Sequence, residues 1–154
     1  MQLSRNKILI GRSDKADFPE IELDNIDIKI DSGAYTSSIH CYEVNEVKEG
    51  NSTFLKLKFL DNSHPQYNKK DFIFDEYSSK IVKSSSGIKE TRFRIHTKIT
   101  IFNQTFPIYL TLSERKDMKF PILLGRKFLN KKFVIDTAKK NLSHKLKYKN
   151  KWEL

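Results

Sequence analysis

The most informative segment of the sequence is Ile28-Lys29-Ile30-Asp31-Ser32-Gly33-Ala34. Apolar residues at positions 26, 28 and 30 alternate with polar ones, the period-two pattern of a half-buried strand. The strand delivers Asp31 into a tight turn of small residues, where Gly33 is expected to adopt dihedral angles that a side chain would forbid. Because neighbouring amides and the Ser32 hydroxyl can hydrogen-bond the carboxylate, the pattern indicates an aspartate held rigidly for proton-transfer chemistry.

The tripeptide Asp-Ser-Gly also occurs in many ordinary Asx turns, so it does not identify a site by itself. A second element lies far along the chain, at residues 120–126. It predicts an apolar strand that ends at Gly125 and runs directly into a short helix over residues 126–132. Three of the five glycines, Gly33, Gly87 and Gly125, then fall at the turn, at a hairpin tip and at the strand-to-helix junction. This combination favours one coherent site.

The remainder of the chain is predicted to be mostly β. Alternating apolar residues indicate further strands at residues 53–60, 91–102, 106–112 and 133–136. No repeat or linker divides the sequence, so residues 1–154 are expected to form a single domain. Residues 139–154 form a strongly basic tail that we expect to be partly mobile.

Composition indicates a soluble globular protein, with 38% hydrophobic and 31% charged residues. The longest apolar runs, such as residues 120–124, are too short to span a membrane. Residues 1–10 lack the apolar core and the cleavage site of a secretory signal. The lone Cys41 cannot form an internal disulfide, and we therefore expect a reducing, cytoplasmic setting.

The formal charge of +10, from 29 Lys and Arg against 19 Asp and Glu, would attract acidic partners. The simpler interpretation is that a lysine-rich face keeps the protein soluble. A competing class is a basic β-domain that binds nucleic acid through aromatic stacking and phosphate contacts. Against that class, no RNP-like aromatic motif is present, and the basic residues are scattered along the chain.

No metal ion and no other cofactor is predicted. The chain has no His-Glu-x-x-His motif, and residues 10–15 lack the glycine and lysine positions of a P-loop. Adjacent strand residues point to opposite faces, so His40 and Cys41 are poorly placed to chelate one ion. We expect His40 to pack or to support the site, and Cys41 to be a small core residue rather than a nucleophile.

Several blocks of the sequence together resemble the bacterial retropepsin-like aspartic peptidases of the RimK-associated type, long labelled ATP-dependent zinc proteases. The matching blocks are residues 10–12, 18–20, 29–34, 36–40, 82–87 with Glu90 and Arg92, 111–115 with Met118, and 120–126. Two positions depart from the family pattern. Ser32 stands where the family more often has Thr, which keeps the hydroxyl, and Tyr35 stands where Lys is frequent, which changes the edge of the pocket.

The resemblance implies a mostly β, retropepsin-like closed barrel with one short C-terminal helix, working as a dimer. It implies these site residues: catalytic Asp31, Ser32 and Gly33; substrate-binding Ala34, Thr36, Ser85, Ser86 and Gly87; and supporting Leu124, Gly125 and Arg126. Residues 84–87 would form the tip of a flap that closes over substrate, although an ordinary exposed hairpin loop has the same pattern. Ser32 would hydrogen-bond across the dimer axis, and Arg126 would tie down the dimer region through an ion pair.

Aspartic peptidases use two carboxylates that share one proton, and this chain has one convincing catalytic turn. The consistent solution is a C2 homodimer in which each subunit contributes Asp31. Asp136, in the segment Ile135-Asp136-Thr137-Ala138, is a rival second aspartate. It lacks the glycine and follows the predicted helix closely, and by resemblance a structural strand lies there.

The substrate is the least defined part of the prediction. By resemblance, such peptidases are associated with ATP-grasp ligases that add glutamates to proteins, and the positive charge suits acidic tails. We therefore expect cleavage of acidic or glutamate-rich extensions. The alternative is a catalytically silent β-domain that binds nucleic acid or an acidic protein, although the intact Asp31-Ser32-Gly33 argues against lost activity.

Overall fold

The computed structural model describes residues 6–83, 86–114 and 119–152. The strands in this part are β1 Ile8–Ile10, β2 Ser13–Phe18, β3 Leu23–Ile30, β4 Ser38–Glu49, β5 Ser52–Phe59, β6 Phe72–Phe74, β7 Ser78–Lys83, β8 Lys89–Ile101, β9 Gln104–Ser113, β10 Ile122–Leu124 and β11 Phe133–Ile135. The helices are α1 Arg126–Leu129 and α2 Leu142–Trp152, with a 3-10 turn at Pro19–Ile21.

Six of the strands close into a barrel. Their order is β10-β3-β2-β8-β9-β4, and β4 closes the ring by pairing with β10, where Ile39 lies opposite Ile122. Strands β5 and β6 extend the sheet beyond β4, β7 forms a hairpin with β8, and β1 and β11 make a separate parallel pair. The predicted mostly β closed barrel is therefore confirmed.

The barrel interior is filled by apolar side chains from alternate strand positions. On β3, Ile26, Ile28 and Ile30 are at most 7% exposed, whereas the intervening Asp27 and Lys29 are exposed. Fully burying such a side chain contributes about 1.5–3 kcal/mol. A register slip of one residue would move all three isoleucines into water, so the alternation fixes how β3 presents the turn that follows it.

Every strand predicted from the pattern is present, with ends that differ by a few residues. Strand β2 was not predicted, because one of its inward positions is Asp14, a polar residue that is only 1% exposed and interrupts the apolar alternation. The predicted helix over residues 126–132 is shorter, because Lys131 adopts a left-handed φ of 69° and turns the chain into β11. The basic tail contains a second helix, α2, which the sequence pattern did not predict.

Helix α2 is held by acidic residues of β2 that lie far away in the sequence. The backbone N–H groups of Ser143 and His144 donate to the two carboxylate oxygens of Asp14, at 2.8 and 3.0 Å. Asp14 therefore satisfies the free amides of the helix start, the task of an N-cap residue. Lys147 adds a 2.8 Å ion pair to Asp17. Within the described residues, no helix is both long and apolar enough to cross a membrane.

We predict that Asp14→Ala lowers the free energy of unfolding by about 1–3 kcal/mol, because two buried helix amides lose their acceptor. Urea unfolding followed by circular dichroism measures the change. Asp27→Ala is the matched control, since Asp27 is half-exposed and, in the described part of the chain, forms an ion pair with Lys15 alone, at 2.6 Å. The control should cost less than about 1 kcal/mol, and equal costs for the two variants would contradict the capping role.

Candidate active site

The turn after β3 fixes Asp31 by three hydrogen bonds. Its N–H donates to the Leu124 carbonyl at 2.9 Å, where β3 and β10 run parallel with Ile30 opposite Leu124. Its carbonyl accepts the Ala34 N–H at 3.2 Å, and its carboxylate Oδ1 accepts the Gly33 N–H at 3.1 Å. Because the Asp31 side chain is only partly buried, the turn presents a rigidly held carboxylate to solvent.

The strand-to-helix junction packs directly on this turn. Ser37 Oγ accepts the Gly125 N–H at 3.0 Å, and the Arg126 N–H donates to the Ala34 carbonyl at 2.9 Å. A Cβ added to Gly125 would lie 2.5 Å from the Thr36 carbonyl oxygen, closer than real Cβ atoms approach. Glycine at position 125 is therefore required by the close approach of the two backbones. The structure thus brings the predicted turn and the predicted junction together.

Arg126 contacts the Asp31 turn through a carbonyl rather than a carboxylate. Its guanidinium Nη1 donates to the Ser32 carbonyl at 2.9 Å, and it lies 5.8 Å from the centre of the Tyr35 ring. Among the described residues of the chain, no carboxylate forms an ion pair with Arg126. Within one chain, Arg126 therefore braces the turn, and the predicted ion pair is not formed there.

The structure assigns Gly33 a different role from the one predicted. Its φ lies outside the left-handed region, and a Cβ added there would meet only Asp31 Oδ1, at an ordinary 3.4 Å. The prediction that Gly33 adopts forbidden dihedral angles was therefore wrong. Gly87, at the hairpin tip, does adopt a positive φ of 84°. The small size of Gly33 keeps the space beside the Asp31 carboxylate open.

The hairpin of β7 and β8 stands beside the turn as expected of a flap. Ile81 and Ile88 expose 69% and 68% of their surface near its tip. Ser86 lies in the described part and is exposed, whereas Ser85 lies outside the described residues. A cavity of about 590 Å³ lies between turn and hairpin, lined on one side by Ala34 and Thr36, and we call it the inner cavity. The predicted substrate-binding residues Ala34 and Thr36 thus share one cleft.

Comparison with known families supports this arrangement. The family model described as "RimB-like: Retropepsin-like aspartic endopeptidase RimB" matches residues 9–146. The chain belongs to this family. The expected family resemblance and the retropepsin-like fold are therefore confirmed.

Two curated relatives have a different printed name. The chain is 32% identical over 136 residues to a "Probable alpha-L-glutamate ligase" of Desulfotalea psychrophila, covering 86% of this chain and 28% of that protein. It is 31% identical over 141 residues to a protein of the same name from Shewanella pealeana, covering 88% of this chain and 30% of that protein. The chain therefore spans less than a third of the length of these relatives.

The fold also matches a solved structure. The crystal structure of Lpg0085, a protein of unknown function from Legionella pneumophila, superposes with a TM-score of 0.63. The match covers 88% of this chain and 97% of that chain at 22% sequence identity. At this identity the likeness concerns the fold alone.

Asp136 lies away from the Asp31 turn of this RimB-like chain. It follows β11, which pairs with β1 outside the barrel sheet. Its N–H donates to the Ile10 carbonyl at 2.8 Å, and its carboxylate accepts the Ala138 N–H at 3.0 Å. The carboxylate thus stabilises a turn after a structural strand, as the family resemblance implied.

His40 and Cys41 are both buried on β4, at 6% and 0% exposure. Burial raises the pKa of the Cys41 thiol to about 12, which disfavours the nucleophilic thiolate and fits the predicted core role. His40 Nε2 contacts Asp61 Oδ2 at 2.7 Å, and because a carboxylate only accepts, the ring nitrogen donates. No group of three or more metal-ligating side chains occurs among the described residues.

Asp61 is the partner that sequence reasoning missed for His40. Its Oδ1 accepts from both the hydroxyl and the N–H of Ser63, and these bonds, with His40, lower its pKa to about 2. The hydrogen bond between Ser37 and Gly125 was also missed, although Ser37 lies within the matching block 36–40. The only available signal for both was a polar residue beside an apolar strand, which is too common to identify a contact.

We predict that Gly125→Ala lowers the free energy of unfolding by about 1–3 kcal/mol, because its methyl group would overlap the backbone of Thr36. Gly33→Ala is the matched control, since its methyl group would find ordinary space, and its thermal unfolding should match that of the parent. Differential scanning calorimetry of the three proteins makes the comparison. A Gly125→Ala protein as stable as the parent would contradict the close packing of junction and turn.

We predict that Asp61 contributes to stability at neutral pH and that this contribution is lost in acid. The folded chain keeps Asp61 charged down to about pH 2, whereas the unfolded chain takes up the proton near 3.8. Stability is therefore fully present above the unfolded value and falls as the pH drops from 3.8 toward 2.

Urea unfolding of the parent and of Asp61→Asn at a series of acidic pH values tests this linkage. The variant should be less stable at neutral pH and should lose less stability in that acidic window. Ser63→Ala, which removes the side-chain bond that contributes most to the lowered pKa, should fall between the two. Identical acid slopes for the parent and Asp61→Asn would exclude the proposed cause.

Proposed function

We propose that the chain is an aspartic endopeptidase in which Asp31 carboxylates from two copies activate one water molecule for peptide-bond hydrolysis. The observation that carries the proposal is the Asp31 turn. Its backbone is pinned to Leu124 at 2.9 Å, while its carboxylate is partly exposed. A carboxylate that is held rigidly and reached by solvent has the geometry of a general base.

The mechanism requires a second carboxylate, and a second copy of the chain supplies it. Two carboxylates a few ångströms apart cannot both ionise, so one remains protonated while the other accepts a proton from water. Asp136, the rival aspartate within the chain, lies on a separate pair of strands. A C2 homodimer brings the two Asp31 turns together, and the protonated carboxyl then polarises the substrate carbonyl.

Neighbouring residues have supporting roles in this dimer. The exposed Ser32 would hydrogen-bond across the two-fold axis, and Gly33 would let the substrate backbone approach. Arg126 already holds the Ser32 carbonyl at 2.9 Å, so it would keep the turn in shape during catalysis. The β7–β8 hairpin, with Ser86 and Gly87 near its tip, would close over the peptide and exclude water.

For the substrate, we propose acidic or glutamate-rich protein tails in a reducing, cytoplasmic setting. The formal charge of +10 favours anionic peptides. Two relatives that match 28% and 30% of their own length carry the printed name of a glutamate ligase. A peptidase that acts on glutamate-rich extensions would oppose the product of such a ligase.

We predict that Asp31→Asn reduces cleavage of a glutamate-rich peptide by at least about a thousandfold, because the general base is lost. Asp136→Asn is the matched control and should retain parental activity. Product formation is followed by mass spectrometry, with a mixed peptide library in parallel, and sedimentation checks that all three proteins remain dimers.

Equal activity of Asp31→Asn and the parent would overturn the assignment of Asp31. A monomeric but active parent would overturn the shared-carboxylate mechanism. If no peptide in the library is cleaved by a dimeric parent, the proposed peptidase activity fails and a binding role for the basic β-domain takes its place.

A further inference from the structure

A continuous groove leads away from the catalytic turn along β8. The inner cavity adjoins a second cavity of about 540 Å³ through Thr36, Arg92, Phe93 and Thr111. That second cavity adjoins a third of about 200 Å³, with which it shares Thr36, Arg94, Thr111 and Lys127. We call the second and third cavities together the outer groove. It starts beside the turn and continues to Lys132.

The outer groove is lined by positive charge. Its cationic residues are Lys80, Arg92, Arg94, Lys127 and Lys132. No carboxylate of the described residues lines it. Arg94, Lys127 and Lys132 form no ion pair with any carboxylate in the described part of the chain. Clustered cations that are not paired with carboxylates attract an external anion, because their mutual repulsion is relieved by its binding.

Tyr109 holds two of these cations in place. The Arg94 guanidinium lies 4.3 Å from the centre of its ring, and the Lys127 ammonium lies 4.9 Å from it. Arg94 Nε also donates to Ser78 Oγ at 3.2 Å. These contacts restrict the side chains before a ligand arrives, which reduces the entropy lost on binding. Arg94 is half-buried, so water screens its charge less than that of a surface lysine.

The inner cavity has a different character. Glu90 and Glu114 line it together with Arg92, and Arg92 lies 3.9 Å from Glu90. Leu112 and Leu123 add apolar surface. Lys80, Arg94 and Lys127 line the outer groove and not the inner cavity, whereas Arg92 lines both. The positive charge is therefore less balanced by carboxylates in the outer groove than in the inner cavity.

We propose that the outer groove is an acidic-peptide subsite, in which Arg94 and Lys127 bind substrate carboxylates several residues from the cleaved bond. The proposal rests on the peptidase function above and adds its specificity determinants. An extended peptide advances about 3.3 Å per residue, so a chain that leaves the turn passes the outer groove with distal side chains. Each carboxylate there gains a charge-assisted hydrogen bond to a cation that has no ion-pair partner among the described residues.

A peptide suits the groove better than a nucleic acid strand does. Single-stranded nucleic acid binding depends on aromatic rings that are free to stack on bases. The Tyr109 ring is already in contact with Arg94, Lys127 and His96, the last at 4.7 Å between ring centres. The ring is therefore used to position cations, and the cations face the ligand.

The test measures binding apart from catalysis. A fluorescent oligoglutamate of about eight residues, long enough to cover turn and groove at ~3.3 Å per residue, is titrated into Asp31→Asn protein. Adding Arg94→Gln and Lys127→Gln to this protein should weaken binding about tenfold, as expected for two partly exposed ion pairs. The matched control adds Lys145→Gln and Lys149→Gln, which remove the same charge from exposed positions on α2.

The control protein should bind the peptide with the same affinity as the Asp31→Asn parent. An oligoglutamate of about three residues should bind weakly, and its affinity should not change when Arg94 and Lys127 are substituted. The proposal is wrong if the Asp31→Asn parent does not bind the long peptide. It is also wrong if the groove and control variants weaken binding equally, or if long and short peptides bind with equal affinity. A single-stranded RNA of similar charge that binds more tightly and depends on the same two residues would also overturn it.

Cleavage by proteins that retain Asp31 separates this inference from the proposed function. Groove-dependent binding with no cleavage contradicts the peptidase and supports the subsite. Both proteins, the parent and the Arg94→Gln, Lys127→Gln variant, could cleave neutral and acidic peptides with the same KM. That result supports the peptidase and contradicts the subsite. A KM for the long acidic peptide that rises about tenfold at unchanged kcat supports both.

Discussion

The parallel pairing of β3 with β10 is the constraint on which the rest of the site depends. The bond from the Asp31 N–H to the Leu124 carbonyl fixes where the turn begins, and Gly125 then lets the two backbones touch at Thr36. The same short strand pairs with β4 and closes the barrel. One strand of three residues therefore both completes the fold and anchors the turn that carries Asp31. Damage to it affects stability and chemistry together.

The positions of the ion pairs show where the net positive charge is left unbalanced. Several acidic residues are used in structural ion pairs away from the cleft, such as Asp27 with Lys15, Glu22 with Lys70 and Asp17 with Lys147. These carboxylates are consequently unavailable to neutralise the cations of the outer groove. Unpaired positive charge thus remains in the outer groove, where a ligand can reach it, whereas elsewhere ion pairs partly neutralise the lysines.

The sequence predicted the parts of the structure that follow from local patterns. Alternating isoleucines indicated β3, and the apolar run before Gly125 indicated β10 and α1, so the catalytic turn and its support could be placed before the structure was known. The family resemblance joined these pieces into a barrel. Strand pairing in a β-fold connects residues far apart in sequence, and no local pattern could have supplied it.

The parts that sequence missed involve polar residues whose partners are distant. Asp14 interrupts the apolar alternation of β2, and its role depends on helix amides 129 and 130 residues away. Gly33 was misassigned because a glycine in a turn signals either special backbone angles or a need for space, and only coordinates distinguish the two. The cations of the outer groove lie on β7, β8, α1 and the turn before β11, so they meet only after folding.

The contact of Asp14 with α2 is one of several contacts that join parts of the chain far apart in sequence. Strand β1 pairs with β11, and β3 pairs with β10, so each of these early strands needs a partner that is made much later. Such distant pairings carry a large loop-closure cost and form slowly. During synthesis the Asp31 turn therefore has no support from Leu124 until β10 has been made. A nascent chain that stops short of β10 would carry Asp31 on a loop without its main backbone anchor.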